Sequence, residues 1–118
     1  AIYSAAVSLA NHVAVDFSAI SRIFIAGGFG SSLDIENAVA IGLLPDLQPR
    51  GRFRYVGNSS LAGSRMALLS SRAAAAAEEI ARKMTYCELS AEAGYMDEYT
   101  AALFFPHTDL GRFNSVRY

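Results

Sequence analysis

With 118 residues, 53% hydrophobic and 18% charged, the chain is the size of one small domain with ample material for a core. That charged share is below the roughly 25% usual in globular domains, although the alanine run 73–77 inflates the apolar figure. A formal net charge of −1 argues against nucleic acid or an anionic membrane as a partner. The single cysteine, Cys87, allows no intramolecular disulfide and no cysteine-held zinc or iron–sulfur centre, so no metal site is expected. No apolar run reaches the ~18 residues of a membrane span, and no signal peptide is visible, which makes the reducing cytoplasm the expected compartment.

A helical pattern starts at once. Ile2, Ala6, Leu9 and Val13 fall on one face, with Tyr3, Val7 and Ala10 forming a second apolar strip beside it. A helix apolar nearly all round expects cover on both sides, and the chain has no initiator Met. Both features suggest a piece of a longer polypeptide that forms one domain over residues 1–118. Asp16 and Ser18 then offer turn chemistry, and residues 22–26 read as a buried strand ending at Gly27. Asp34 is a natural N-cap for a helix through Ile35, Ala38 and Val39, with Gly42 as its stop.

After a polar loop over 46–52, residues 53–57 read as a second strand, and Asn58 or Ser59 can cap the helix that follows. Its inner face is expected at Leu61, Arg65 or Met66, and Leu69. Ser70 and Ser71 separate it from an alanine-rich helix over 72–84, with Ala73, Ala76, Ile80 and Met84 inward. Glu78 with Arg82 and Glu79 with Lys83 would pair on the solvent side, each pair contributing only about 0.2–0.5 kcal/mol. Residues 85–89 suggest a third strand with Cys87 buried in it. Ser90 suggests the cap of a last helix carrying Tyr95, Tyr99 and Leu103, closed by Pro106. Strands alternating with helices predict an α/β layer structure with a short mixed or parallel sheet.

The sharpest local feature is the turn Gly27, Gly28, Phe29, Gly30, Ser31 between a strand and a helix. Glycine admits positive φ and lets a ligand lie against bare backbone, and α/β proteins bind nucleotides at such sheet edges. Spacing alone also fits a tight turn whose glycines only permit close packing. The dinucleotide fingerprint fails because Leu33 stands where the third glycine belongs. The P-loop pattern fails because Gly57 and Gly63 are one residue too far apart and no Lys-Ser/Thr follows.

Weaker candidates have simpler readings. The run from Gly57 through Asn58 and Ser59 to Ser60 could approach a nucleotide, or could merely turn and cap. His12 reads as a solvent or core-edge residue. His107 with Asp109 lies in a loop without a nucleophile. Asp34 with Glu36 could face Mg²⁺, yet capping and solvation account for both.

Over nearly its whole length the chain resembles the C-terminal domain of the ATP-dependent reductive activators of corrinoid proteins. The strings IFIAGGFGSSLDIENAVAIGLLPD, YVGNSSLAGSRMALLS, EIARKM, YCELS and ALFFPHTDLGRF carry this resemblance in order and spacing. It implies an actin-like ATPase fold of the acetate and sugar kinase, heat-shock chaperone and actin superfamily, represented by its C-terminal subdomain. It further implies that residues 23–31 are the adenosine-binding motif, with Gly27 and Gly28 as the glycine pair and Phe29, Gly30 and Ser31 continuing it. No catalytic residue maps onto this chain, and the phosphate-binding hairpins of the superfamily lie outside it.

Full-length members couple ATP to the one-electron reduction of cob(II)alamin to cob(I)alamin on a corrinoid methyl-transfer protein. The resemblance therefore implies ATP as the ligand here, with Mg²⁺ held by residues outside the chain and an iron–sulfur cluster only in the missing part. The expected partners are the remainder of the same polypeptide and a corrinoid protein of a methyltransferase system, with a homodimer as a further option. An isolated segment of this kind is not expected to turn over ATP. A second reading from a different class is a docking or dimerisation module without nucleotide, and a third is a small-molecule kinase.

Overall fold

Helix α1 (Ile2–His12) starts where the pattern starts, but only one of its two apolar strips is covered. The computed structural model describes residues 1–117, and it buries Tyr3, Val7 and Ala10 while Ile2, Leu9 and Val13 stay exposed. Ser4 and Ser8 go inside with the buried strip. The Ser4 hydroxyl donates to the Ala1 carbonyl at 3.0 Å, returning its hydrogen bond to its own helix.

The chain divides into two compact units. Of the described residues, the first contains 1–23, 33–54 and 88–117. Its core gathers Tyr3, Val39, Leu44, Leu47, Phe53 and Phe113. The Tyr3 ring packs on Phe113 at 5.2 Å and edge-on to His107 at 5.6 Å between ring centres. Helix α2 (Ile35–Ala40) is short because both its ends are specified. The Asp34 carboxylate accepts from the Asn37 N–H at 2.8 Å, as the sequence predicts. At the other end Gly42 takes φ +72°, and a Cβ there would collide with the Pro106 carbonyl oxygen. Only glycine meets both conditions.

Beyond α2, the Asp46 carboxylate ties distant segments of the same unit together. It accepts from the Ser115 N–H at 2.8 Å and from the Arg50 guanidinium at 2.7 Å. Arg50 also reaches Glu36 at 3.1 Å, so Glu36 is an ion-pair partner rather than a free carboxylate. Burial pulls the Asp46 carboxyl upward, but the hydrogen bonds from Ser115 and Arg50 outweigh it and leave the group below its ordinary range.

The second unit contains residues 24–32 and 55–87. Strands β1 (Ile23–Ile25) and β2 (Phe53–Tyr55) pair in one two-stranded parallel sheet, and the chain passes between the units within each strand. Helices α3 (Ser59–Leu69) and α4 (Ser71–Lys83) pack on each other within this unit. Asn58 caps α3 by accepting from the Leu61 N–H at 3.1 Å, and Ser70 caps α4 through the Ala73 N–H at 3.3 Å. The surface pairs Glu78–Arg82 and Glu79–Lys83 form at 3.3 and 2.7 Å.

Several expectations are corrected. Leu61, Met66 and Leu69 of α3, Ile80 of α4 and Met84 just after it are exposed, and neither helix has a buried residue. Periodicity marks an apolar face, but it cannot supply the surface that covers it. Residues 85–89 form no strand; a 3-10 turn over Leu89–Ala91 follows instead, and the Ser90 hydroxyl donates to the Glu88 carboxylate at 2.6 Å. The last helix, α5 (Tyr95–Ala101), therefore starts later, at a left-handed Gly94, and ends before Pro106. Leu103 falls outside α5 and is exposed. Strand composition over so few residues is easily overridden when no neighbouring strand is present to accept the hydrogen bonds.

Candidate nucleotide site

The glycine turn lies wholly in the second unit. Ile25 ends β1, and its carbonyl accepts from the Val56 N–H at 3.0 Å. Two residues later the Gly27 N–H donates to the Gly57 carbonyl at 2.8 Å. The ladder thus continues past the strand ends and draws the turns after β1 and β2 side by side. Gly27 takes φ +97° and Gly57 φ +70°, conformations that residues with a Cβ rarely adopt. The paired turns stand at the carboxyl ends of parallel strands, the place where open α/β sheets receive ligands.

The five turn residues sort into distinct roles. Gly27 is fixed at both backbone atoms: its N–H is paired as above, and its carbonyl accepts from the Tyr55 hydroxyl at 3.0 Å. Gly28 is exposed and outside the positive-φ region, and a Cβ placed on it would meet no atom within 4 Å. Phe29 is 78% exposed. The Ser31 hydroxyl donates to the Gly28 carbonyl at 2.8 Å, closing the 3-10 turn Phe29–Ser32. Gly30 differs from the others. It is buried, and a Cβ there would lie 2.7 Å from Ile25 Cγ2 and 2.9 Å from Tyr55 Cε2.

The glycines differ by position. Gly30 is a glycine because the turn packs on Ile25 and Tyr55. Gly28 has no packing or dihedral reason to be a glycine within this chain, and its backbone faces open space. Tyr55 escaped the sequence reading because a tyrosine ending a strand normally signals only β-propensity. Its place two residues before Gly57 was the available clue, since parallel pairing brings that position beside the first turn.

The other candidates resolve into structural roles. Asn58 is the helix cap and Asp34 another. His12 is exposed and pairs with Glu92 at 2.8 Å. His107 and Asp109 do meet, but through the backbone: the Asp109 N–H donates to His107 Nδ1 at 2.9 Å. The Asp109 carboxylate turns instead to the Gly111 N–H and to Arg112. An imidazole oriented by a carboxylate, as a catalytic pair requires, is not formed there. Cys87 lies outside any strand and is partly exposed. Among the described residues, no helix is long and apolar enough to cross a membrane.

Residues 1–117 match the family described as the C-terminal domain of RACo, the ASKHA domain. The chain is 32% identical over 105 residues to the corrinoid activation enzyme RamQ of Eubacterium limosum, covering 89% of this chain and 18% of that protein. A solved structure titled reductive activator for corrinoid, iron-sulfur protein superposes with a TM-score of 0.92 at 52% identity. That match covers 98% of this chain and 18% of the other. The chain thus spans under a fifth of the length of both relatives.

Proposed function

This chain belongs to the family of C-terminal ASKHA domains of RACo, and from that premise we propose that it is the ATP-binding C-terminal part of a reductive activator of a corrinoid protein. The observation that carries the proposal is the open backbone at Gly28, held between two paired turns at the strand ends. Bare backbone there admits the ribose and adenine side of a nucleotide to van der Waals distance. Tyr55 and the Gly57 carbonyl hold Gly27 in place, and the Ser31 hydroxyl steadies the Gly28 carbonyl. The exposed Phe29 ring is available to lie against the nucleoside. Gly30 acts indirectly, by letting the turn close on Ile25 and Tyr55.

The proposed reaction of the full-length protein is the ATP-driven transfer of one electron to cob(II)alamin on a partner corrinoid protein, giving cob(I)alamin. An iron–sulfur cluster in the remaining part of the polypeptide would supply that electron. Mg²⁺ and the groups around the phosphates would likewise come from outside these residues. What this segment contributes is the nucleotide's nucleoside side, in a cytoplasmic protein. The test is spectroscopic: full-length protein, reductant and corrinoid partner should give the cob(I)alamin absorbance only when ATP is added. Equal reduction without ATP contradicts the proposal.

The exposed Leu61, Met66, Leu69, Ile80 and Met84 favour a second reading, a docking or dimerisation module of the same fold that takes no nucleotide. Absence of ATP binding by the intact protein would select it.

A further inference from the structure

Helix α3 has the sequence of an enclosed helix. At about 100° per residue, Leu61, Met66, Leu68 and Leu69 spread over roughly half of its circumference, and Arg65 is its one charged residue. That is wider than the ~100° stripe with which a helix packs on a single surface. Yet Leu68 is 87% exposed and Leu69 75%, and Leu61 and Met66 are open as well. Helix α4 packs on α3 and is two-sided. Its ion pairs Glu78–Arg82 and Glu79–Lys83 occupy one side, while Ala73, Ala77 and Ile80, followed by Met84, fall on the other. Ile80 and Met84 are exposed.

The rest of the unit gives these helices no core. Among the described residues of segments 24–32 and 55–87, Gly30 alone is buried. Phe24 of β1 is exposed too, although parallel sheets are ordinarily covered on both faces. A unit that buries no apolar side chain of its own needs a cover that stays in place whenever it is folded. A partner that comes and goes does not provide one.

The chain matches a C-terminal domain and covers 18% of each relative, so more than four-fifths of such a polypeptide lies outside the matched part. A second copy fits less well, because a two-fold contact presents one face and α3 calls for cover over about half its circumference. We propose that the open face of α3 and α4 is an internal interface, seated against the part of the same polypeptide that precedes residues 1–118. This assignment does not depend on whether the turn at Gly28 takes a nucleotide.

Photo-methionine, nearly isosteric with methionine, tests it when incorporated throughout the full-length protein and irradiated. The expected product is a cross-link from Met66 or Met84 to a peptide from ahead of residue 1, migrating at the mass of one chain. A cross-link of doubled mass between two copies assigns the face to a second copy and overturns the proposal. Products confined to residues 1–118, or quenched by water at both methionines, overturn it as well. Hydrogen exchange gives an independent reading. Leu68→Asp in the full-length protein should speed exchange of the α3 amides at least about tenfold, because a carboxylate enters an apolar contact. Glu79→Ala, on the ion-paired side of α4, should change it by about twofold or less. Exchange in the Leu68→Asp protein within about twofold of the parent contradicts the cover.

Discussion

The Tyr55 hydroxyl donates to the Gly27 carbonyl at 3.0 Å, so a residue at the end of β2 braces the turn that follows β1. Tyr55→Phe keeps the ring packing on Gly30 and removes only this bond. The site is partly solvated, so the expected loss of stability is about 0.5–1 kcal/mol, at the low end for a single hydrogen bond. Denaturant melts measure it, and ATP affinity of the full-length protein should fall in parallel by a few-fold. An unchanged affinity would mean the brace does not position the turn for a ligand.

Gly30→Ala addresses packing rather than binding. The new Cβ would press on Ile25 Cγ2 and the Tyr55 ring, both under 3.0 Å away. Overpacking of this kind costs about 1–3 kcal/mol. The variant should melt earlier, and any change in ATP affinity should be smaller than its change in stability would suggest. A stability equal to that of the parent would contradict the close approach.

Gly42→Ala should be the most damaging of the glycine substitutions. It combines a left-handed φ of +72° with a collision between the new Cβ and the Pro106 carbonyl oxygen. Strain and overlap together cost roughly 3 kcal/mol or more, enough to leave most of the protein insoluble or protease-sensitive. Limited proteolysis of the full-length protein checks this, and parent-like resistance refutes it.

His107 makes the fold sensitive to mild acid. Burial, with Arg112 nearby, lowers its pKa below the ordinary 6.5. The unfolded chain therefore takes up the proton first as pH falls. Stability should decline as pH drops below about 6.5 toward the folded-state value, and this contribution should level off beneath it. His107→Gln should flatten that part of the stability–pH curve when both proteins are melted between pH 7 and 5. Superimposable slopes for parent and variant would count against the buried neutral imidazole.

What the sequence disclosed depended on how local the determinants were. Asp34 was legible as a cap, and Asn58 as one of two candidates with Ser59, because a cap is set by one side chain and the N–H groups two or three residues on. Gly42 was legible as a stop, although its close approach to Pro106 was not, since that contact joins segments far apart in the chain. The strand expected over 85–89 failed because β-pairing is non-local: composition alone does not place a segment in the sheet, which pairs β1 with β2. At the site, the glycine cluster was visible, yet its division of labour was not. Gly28 and Gly30 look alike in sequence, and only the positions of Ile25 and Tyr55 separate open backbone from packed backbone.

The central claim is that the open backbone at Gly28 receives ATP, and Gly28→Val in the full-length protein tests it most directly. A Cβ there meets no protein atom within 4 Å and the residue sits outside the left-handed region, so denaturant melts should change by less than about 0.5 kcal/mol. The same branched side chain would occupy the space of the nucleoside, and ATP affinity by calorimetry should fall at least about tenfold, equivalent to ~1.4 kcal/mol. A variant that is as stable as the parent and binds ATP with the parent's affinity would contradict the account.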